Sequence, residues 1–252
     1  MKMVNFLLFW KWVIFTHINR NESIENNQKI TVIISTYNVK RLKNINPLVR
    51  SVLKCKFIQN VIVTNNNPDI NIEDWITVRD SRLDLINQPV RRWPGYRWRI
   101  AGNINAEYFI IIDDDILLLP NQFKILLQHL IKEPDIAHGI TGHLGGDYYQ
   151  NREMEVTVLN QIYAVTQKHI NRYLMITNAI KHDYPEVFPL IEKCADDLII
   201  SKSGISNPKI HHIGQLTRCH TARKPGVAIH LGTDFLQARR KVKNALDSIL
   251  QK

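Results

Sequence analysis

Residues 108–112 (YFIII) run without a break into Asp113, Asp114 and Asp115. A short, continuous run of apolar residues that ends in polar ones is typical of a strand buried on both faces. Strands of this kind occur in parallel sheets that are covered by helices. The segment therefore predicts an α/β fold in which three carboxylates stand at the carboxyl end of a central strand.

The first half of the chain alternates between strand and helix patterns. The predicted strands are 30–34, 61–63 and a short one near 75–78, and the predicted helices are 46–54, one that ends near residue 105, and 120–131. Strands separated by helices indicate a parallel sheet, and open sheets of this type bind ligands beyond the carboxyl ends of their strands. We therefore expect three polar segments to meet at one edge: 35–38, 65–67 and 113–115.

The second half of the chain is less regular. Residues 155–165 alternate like a strand, 194–201 read as a short helix, and a basic amphipathic helix begins near residue 233. The segment 142–149 (GHLGGDYY) is either a flexible loop beside an acceptor or a set of ordinary turns, and its glycines do not distinguish the two.

The aspartate triplet predicts a metal site. Side chains on adjacent extended residues point in opposite directions, so Asp113 and Asp115 are expected on the same face. Two carboxylates that share a face repel each other unless a cation lies between them. Oxygen ligands favour hard divalent ions such as Mg²⁺ or Mn²⁺, which can bridge to a diphosphate and neutralise its charge as it leaves. A solvated acidic turn or a helix N-cap is the alternative.

Three motifs together resemble the GT-A glycosyltransferases: ITVIISTYN at 30–38, IIIDDD at 110–115 and CADDLIIS at 194–201. More narrowly, residues 30–223 resemble the exostosin-like family of heparan-type N-acetylhexosaminyltransferases. The resemblance implies a Rossmann-like, mostly parallel sheet flanked by helices, with an acceptor-binding half. It also implies transfer of a sugar from a UDP-sugar to a hydroxyl of a glycan or glycoconjugate, with Mn²⁺ and with retention of configuration.

The resemblance assigns roles to residues near the triplet. Asp115 would be the main metal ligand, and Asp113 and Asp114 would face the ribose or the metal. The uridine would be held by three residues: Thr36, Tyr37 and Asn65.

A cluster of arginines precedes the triplet: Arg91, Arg92, Arg97 and Arg99. By resemblance, Arg97, with Arg92 or Arg99, binds the donor phosphate or sugar, because a planar guanidinium pairs with two phosphate oxygens. The alternative is a solvated basic face that packs against Trp93 and Trp98.

A second pair of carboxylates, Asp196 and Asp197, precedes an apolar run and is predicted to begin a helix near the acceptor. In a retaining enzyme such a carboxylate orients the acceptor and stabilises the cationic sugar. In an inverting enzyme it is the general base that deprotonates the acceptor hydroxyl, and Asp197 is the preferred candidate. The alternative is that either residue caps the helix.

The resemblance also implies that Cys194 pairs with a later cysteine, for which Cys219 is the candidate, and this pairing would hold the basic stretch 218–224 near the donor phosphates. Two free thiols are the alternative, and Cys55 is left over in both cases. Some GT-A enzymes complete the metal shell with a late histidine, for which His230 is one candidate, although a surface or core role is more usual.

The net charge of +10 and the pI near 9.5 favour anionic partners. No nucleic-acid-binding motif accompanies the basic residues, so a nucleic-acid partner is not predicted. Residues 6–15 (FLLFWKWVIF) form an apolar run interrupted by Lys11, which is too short to span a bilayer comfortably. The run is a degenerate signal-anchor, an interfacial segment that associates with membranes, or a buried element.

These patterns divide the chain into an apolar segment and linker at 1–28 and a GT-A domain at 29–252. Two other functions are compatible with the sequence. One is a non-catalytic module that binds carbohydrate or an anionic polymer. The other is a metal-dependent phosphotransferase, which the absence of a glycine-rich phosphate loop disfavours.

Overall fold

The computed structural model describes residues 2–18, 29–219 and 234–251. In these residues the strands are β1 (Ile30–Thr36), β2 (Asn60–Asn65), β3 (Leu83–Asn87), β4 (Tyr108–Asp113), β5 (Ile116–Leu117), β6 (His138–Gly139), β7 (Thr141–Leu144), β8 (Asp147–Gln150), β9 (Met154–Glu155), β10 (Val158–Leu159), β11 (Ile162–Thr166), β12 (Lys209–Ile210) and β13 (Thr217–Arg218). The helices are α1 (Lys2–Ile18), α2 (Val39–Leu42), α3 (Ile45–Leu53), α4 (Arg97–Gly102), α5 (Pro120–Lys132), α6 (Gln167–Asp183), α7 (Phe188–Leu190), α8 (Asp196–Ile200) and α9 (Phe235–Leu250).

The main sheet has the strand order β3-β2-β1-β4-β11-β6-β12-β9. Strands β3, β2, β1 and β4 are parallel, whereas β11 runs antiparallel to β4. The strands β1, β2 and β4 are buried over nearly their whole length because helices cover both faces of the sheet. This arrangement confirms the predicted α/β fold with a mostly parallel sheet.

Alternate residues of β4 belong to two separate hydrophobic clusters. Ile110 and Ile112 pack with α3 and α5 on one face, whereas Phe109 and Ile111 pack with α4, α6, α8 and α9 on the other. The alternation of strand side chains explains why a continuous apolar run was needed at this position.

Three predicted elements differ from the structure. Residues 75–78 are not a strand, since a short 3₁₀ helix (Ile72–Asp74) lies just before them and the third parallel strand is β3. The single strand predicted over 155–165 is divided into β9, β10 and β11, and Gln161 interrupts it with a φ of +64°. The helix expected to end near residue 105 ends earlier, at Gly102.

Two of the three glycines of the segment 142–149 form an ordinary turn, and the third, Gly142, lies in β7. Strands β7 and β8 pair as an antiparallel hairpin, and the two residues between them, Gly145 and Gly146, have φ angles of +61° and +98°. Two positive φ values are what a tight hairpin with the normal strand twist requires, and glycine adopts them without strain. Gly145 and Gly146 are therefore turn formers, and a position of this hairpin beside the acceptor stays a prediction.

Helix α1 packs against the rest of the protein through Phe9 and Trp12, which are both buried. Several of its other apolar side chains are exposed, among them Trp10, Ile14 and Phe15. Across the described part of the chain, no helix is both long enough and apolar enough to cross a membrane. Association of this segment with a membrane surface stays a prediction.

Candidate functional site

The polar ends of three parallel strands meet at one edge of the sheet, as the sequence predicts. Ser35 of β1 is in register with Asp113 of β4, and Thr36 is in register with Asn65 of β2. The chain then turns at Asp114 and Asp115 before it enters β5. This turn places the triplet at the rim of the sheet, where open α/β sheets bind their ligands.

The turn gives the three aspartates different ion-pair partners. Asp113 still acts on Asp115 more strongly than Asp114 does, and the expectation that Asp113 and Asp115 share a face stays a prediction. Asp114 and Asp115 share Arg41, whose Nη1 and Nη2 lie 2.9 Å from Asp114 Oδ1 and Asp115 Oδ2, respectively. Asp113 pairs with Arg97 on the other side, at 2.5 Å.

Burial dominates the electrostatics of the triplet. It raises the pKa of Asp115 to about 7, although Arg41 opposes the shift, and the neighbouring carboxylates of Asp113 and Asp114 add to it. Burial also raises the pKa of Asp114, against Arg41 and a 2.7 Å hydrogen bond from the Thr36 hydroxyl. One arginine therefore compensates the charge of two buried carboxylates only in part, which favours a further cation at this position.

An amide oxygen adds to this set of acidic oxygens. Gln161 donates through Nε2 to Asp115 Oδ1 at 3.4 Å, while its buried Oε1 has no hydrogen-bond partner among the described residues. The left-handed backbone of Gln161 is a strained conformation of the kind that persists at ligand sites. Carboxylate and amide oxygens are the ligands that hard divalent ions prefer, so the residues present fit such an ion.

The three residues predicted to hold a uridine have different surroundings. Thr36 is buried and bonded to Asp114. Asn65 is fully buried, and its Nδ2 donates to Asn67 O, Ile70 O and Asn87 Oδ1, so it holds the loop after β2 and is not placed to contact a ligand. Tyr37 is partly exposed, and the Arg91 guanidinium lies 4.8 Å from its ring centroid. Only Tyr37 of the three has a side chain that a base could reach.

The arginine cluster divides into surface and buried members. Arg91 lies over both Tyr37 and Trp93, Arg92 lies 4.5 Å from the Tyr96 ring, and Arg99 pairs with Glu192 at 2.8 Å. The buried Nε of Arg92 has no partner within the described segments, which leaves a donor for an anion.

Arg97 is the buried member, with 3% of its surface exposed. It donates to Asp196 Oδ2 through Nε at 3.0 Å and through Nη2 at 2.8 Å. With Asp113 on its remaining nitrogen, its guanidinium connects two carboxylates instead of lying open for a phosphate. The prediction that Arg97 contacts the donor phosphate therefore does not fit this geometry, and a positioning role does.

The second carboxylate pair begins α8, as predicted, and follows a π-helical turn at Ile191–Ala195, a feature often found at functional sites. Asp196 is fixed by Arg97 and by Trp98 Nε1, which donates to it at 2.8 Å. The backbone at residue 95 lies so close to Asp196 that only glycine fits there, since a Cβ atom on Gly95 would lie 2.9 Å from the Asp196 Cβ.

Asp197 has different partners. Arg239 of α9 donates to its Oδ1 at 2.6 Å, and burial raises the pKa of Asp197 although Arg239 opposes the shift. With the Asn160 amide oriented to satisfy its neighbours, its nitrogen donates to Asp197 Oδ2 at 3.2 Å and its oxygen accepts from His143 Nε2 at 3.1 Å. The alternative, in which Asp197 caps α8, has one contact in its favour. This is the hydrogen bond that the Leu198 backbone N–H donates to Asp197 Oδ1.

Several residues at the site were not assigned a role from the sequence: Arg41, His143, Tyr148, Gln161 and Arg239. Arg218 donates to the Tyr148 hydroxyl, and its charge acts to lower the pKa of Asp115. The sequence did contain a signal for Arg41. This residue is basic and lies one helical turn after β1, a strand that ends at the ligand-binding edge of the sheet. Arg239 had none, because it is one of several basic residues on α9.

The cysteine and histidine predictions have separate outcomes. Cys194 and Cys219 are free and buried in different hydrophobic clusters, so the disulfide implied by the resemblance is absent. The backbone nitrogen of Cys219 donates to Asp115 O at 2.8 Å, which brings this part of the chain beside the triplet. His230 lies outside the described residues.

The family described as "Glycosyl transferase family 2" matches residues 31–188, more than half of the chain. Among solved structures, the chain is similar to that of GalNAc-T7 with UDP, GalNAc and Mn²⁺, with a TM-score of 0.60 and 10% identity. That match covers 88% of this chain and 48% of the other, so this chain spans about half its length. No curated protein matches the chain. The matches confirm the GT-A fold, whereas the narrower exostosin-like resemblance stays a prediction.

Proposed function

The chain belongs to glycosyl transferase family 2, and we propose that it transfers a sugar from a UDP-sugar to a hydroxyl of a glycan or glycoconjugate. The observation that carries this proposal is the group of oxygens at the carboxyl end of β4. It is formed by three aspartates and by Oε1 of Gln161, which has no partner among the residues that the structure describes. This group lies where the fold binds ligands and carries more negative charge than Arg41 compensates.

Asp115 and Asp113 would hold the ion, Mn²⁺ or Mg²⁺, and Asp114 would orient the ribose. When bound, the ion would neutralise charge on the diphosphate as the bond to the sugar breaks. Arg41 holds Asp114 and Asp115 in place through one guanidinium. The structure of GalNAc-T7, which contains UDP and Mn²⁺, supports a metal-dependent donor of this class.

For the donor nucleotide, we propose that the uracil base packs on the ring of Tyr37. The guanidinium of Arg91 already lies over this ring and over Trp93, which makes an aromatic and cationic surface. Two arginines support contact with diphosphate oxygens. Arg92 Nε has no partner in the described part of the chain, and the charge of Arg218 acts on Asp115.

The stereochemical outcome depends on Asp197. The exostosin-like resemblance implies retention, in which Asp197 orients the acceptor. The surroundings of Asp197 favour the alternative, inversion, because burial raises its pKa and so makes its carboxylate a stronger base for the acceptor hydroxyl. Asp196 is less suited to this role, since its Oδ2 accepts three hydrogen bonds, two from Arg97 and one from Trp98, whereas Asp197 Oδ2 accepts one from the Asn160 amide. The anomeric configuration of the product, read by proton NMR, separates the two mechanisms.

The experiment that tests the function is a panel of UDP-hexoses and UDP-N-acetylhexosamines, incubated with the full chain and Mn²⁺ and followed by UDP release. We expect one donor to be hydrolysed or transferred, and a chelator to abolish the reaction. A protein that releases UDP from no donor, and that shows no Mn²⁺-dependent UDP binding by calorimetry, would instead be a carbohydrate- or polymer-binding module.

A further inference from the structure

A second group of metal-ligating side chains lies on the α5 side of the sheet. It comprises His129 in the last turn of α5, His138 of β6, Glu153 before β9 and His211 just after β12. We propose that His129, Glu153 and His211 bind one divalent transition-metal ion of the zinc class, independently of the aspartate triplet. One ligand atom of each of these three residues lies within 4.8 Å of the other two.

Hydrogen-bond donors and acceptors indicate where the ion would lie. His138 Nε2 is 3.0 Å from Glu133 O, which only accepts, so this nitrogen carries the proton and Nδ1 of the neutral ring accepts. His211 Nε2 lies 2.8 Å from that Nδ1 and must therefore donate to it.

In a neutral His211 ring, Nδ1 then carries a lone pair and no proton. This nitrogen lies 2.8 Å from Glu153 Oε2, so two lone pairs face each other unless a metal ion or a second ring proton lies between them. A metal ion at this position would be held by Nδ1, while the opposite N–H donates to His138. Such a second-shell hydrogen bond is the usual way in which a metal-bound histidine is oriented.

The identity of the ligands selects the class of ion. Two histidines and a glutamate form a common zinc site that leaves one position for water, whereas Mn²⁺ and Mg²⁺ prefer oxygen-rich sites. Ligand atoms around tetrahedral zinc lie roughly 3.4 Å apart. The His211–Glu153 pair, at 2.8 Å, must therefore open slightly, and the longer separations, of up to 4.8 Å, must shorten. The His129 ring, stacked on His211 with centroids 3.6 Å apart, has to tilt so that its in-plane lone pair reaches the ion.

The two outer ligands are free to make this adjustment. Glu153 is exposed and His129 is partly exposed, whereas His211 is buried and fixed by His138. The adjustment therefore moves only the side chains of Glu153 and His129, which lie at or near the surface.

Such an ion would stabilise residues 211–218, which run from the end of β12 through β13 to the side of the aspartate triplet. Glu153 Oε1 already accepts from the His212 backbone at 2.8 Å, and Gln122 of α5 donates to the carbonyls of Ile213 and Gln215. This segment continues into β13, which pairs with β5 directly after the triplet. The ion would therefore join α5 to the chain that reaches Asp115.

The test is zinc binding by the full, untagged chain after removal of metals with a chelator. Calorimetric titration with Zn²⁺ is paired with thermal unfolding, and Co²⁺ provides a visible absorption spectrum that reports nitrogen ligation. The variants that test the site are His129→Gln and Glu153→Gln. They replace the partly exposed and the exposed ligand by a side chain of similar shape. Their matched controls are His182→Gln and Glu155→Gln, which alter an exposed histidine and an exposed glutamate outside the group.

We expect one Zn²⁺ per chain, a zinc-dependent rise in the unfolding temperature, and a loss of affinity of at least about tenfold in each ligand variant. The two controls and Asp115→Asn should bind zinc like the unmodified chain. The proposal is overturned if no stoichiometric zinc binds, as expected for a protonated His211–Glu153 pair. It is equally overturned if the ligand variants bind as tightly as the controls, or if Asp115→Asn removes the zinc. Sugar transfer is not part of the readout, so this test is independent of the proposed function.

Discussion

The Arg97 guanidinium donates to the Asp196 carboxylate through both Nε and Nη2, at 3.0 and 2.8 Å, although 99 residues separate the two in sequence. Both side chains are buried. Because the third nitrogen of the same guanidinium contacts Asp113, one arginine connects the rim of the parallel sheet to the start of α8. The two acidic motifs of the chain are therefore one electrostatic unit.

Replacing Arg97 by lysine is expected to destabilise the protein. Lysine keeps the positive charge but lacks the planar fork that contacts two carboxylates at once. Breaking a buried ion pair costs about 3–5 kcal/mol, because the remaining charge stays buried without a partner. We expect the free energy of unfolding, measured by urea denaturation, to fall by roughly the lower end of that range.

Arg99→Lys is the matched control, because Arg99 belongs to the same helix and pairs with Glu192 while 44% of its side chain is exposed. An exposed pair contributes at most about 1 kcal/mol, so this variant should unfold like the unmodified chain. If Arg97→Lys keeps its stability and only raises the KM for the UDP-sugar, Arg97 contacts the donor phosphate after all.

The parallel half of the fold could be predicted because its elements have strong local patterns. Strands β1, β2 and β4 are apolar runs buried on both faces, and α3 and α5 have a clear helical period. Strand β3 was missed because it lies at the edge of the sheet and includes Asp84 and Asn87, so its sequence is not that of a buried strand.

The partners within the site could not be predicted, since they depend on contacts between distant segments. The acidic residues themselves stand out in the sequence. The approach of Arg239 to Asp197, or of Gln161 to Asp115, follows from how α9 and β11 pack and has no local signal. The disulfide prediction failed for the same reason, because Cys194 and Cys219 lie on opposite sides of the sheet.

Asp115→Asn is expected to abolish metal-dependent binding of UDP while the fold is retained. Asparagine keeps the shape of the side chain but removes the charged ligand. Loss of one charged ligand should weaken Mn²⁺-dependent UDP binding by about a hundredfold or more, as measured by calorimetry. Asp147→Asn, which changes an exposed aspartate of the β7–β8 hairpin, is the control. Equal affinity in both variants would show that the metal is bound elsewhere.

Asp197→Asn should lower kcat by about 10²–10⁴-fold while the affinity for UDP and Mn²⁺ is unchanged, because a general base acts on the acceptor and not on the donor. Asp196→Asn is the comparison. Its carboxylate accepts from Arg97 and Trp98, so we expect its main effect on the free energy of unfolding. A variant Asp197→Asn that keeps its kcat would exclude the general-base mechanism and favour retention.

His169 predicts how stability depends on pH. Burial lowers the pKa of His169 to about 4 in the folded protein, whereas a histidine in an unfolded chain has a pKa near 6.5. Between pH 6.5 and pH 4, residue His169 is therefore mostly protonated in the unfolded chain and mostly neutral in the folded protein. The protonation of His169 in the unfolded chain therefore costs the folded protein no stability well above pH 6.5. The free energy of unfolding falls as the pH is lowered from 6.5 towards 4, and His169 causes no further loss below that.

A shift of this size corresponds to roughly 3 kcal/mol when fully developed, and to about 2 kcal/mol between pH 7 and pH 5. The variant His169→Gln removes the titration but keeps the helix cap, since glutamine at this position can accept from the Thr166 backbone as His169 Nδ1 does. Urea denaturation at the two pH values should give a smaller difference for His169→Gln than for the unmodified chain. His182→Gln, at an exposed position, should leave the difference unchanged. If His169→Gln has the same pH dependence as the unmodified chain, His169 is protonated in the folded protein and its burial does not control acid stability.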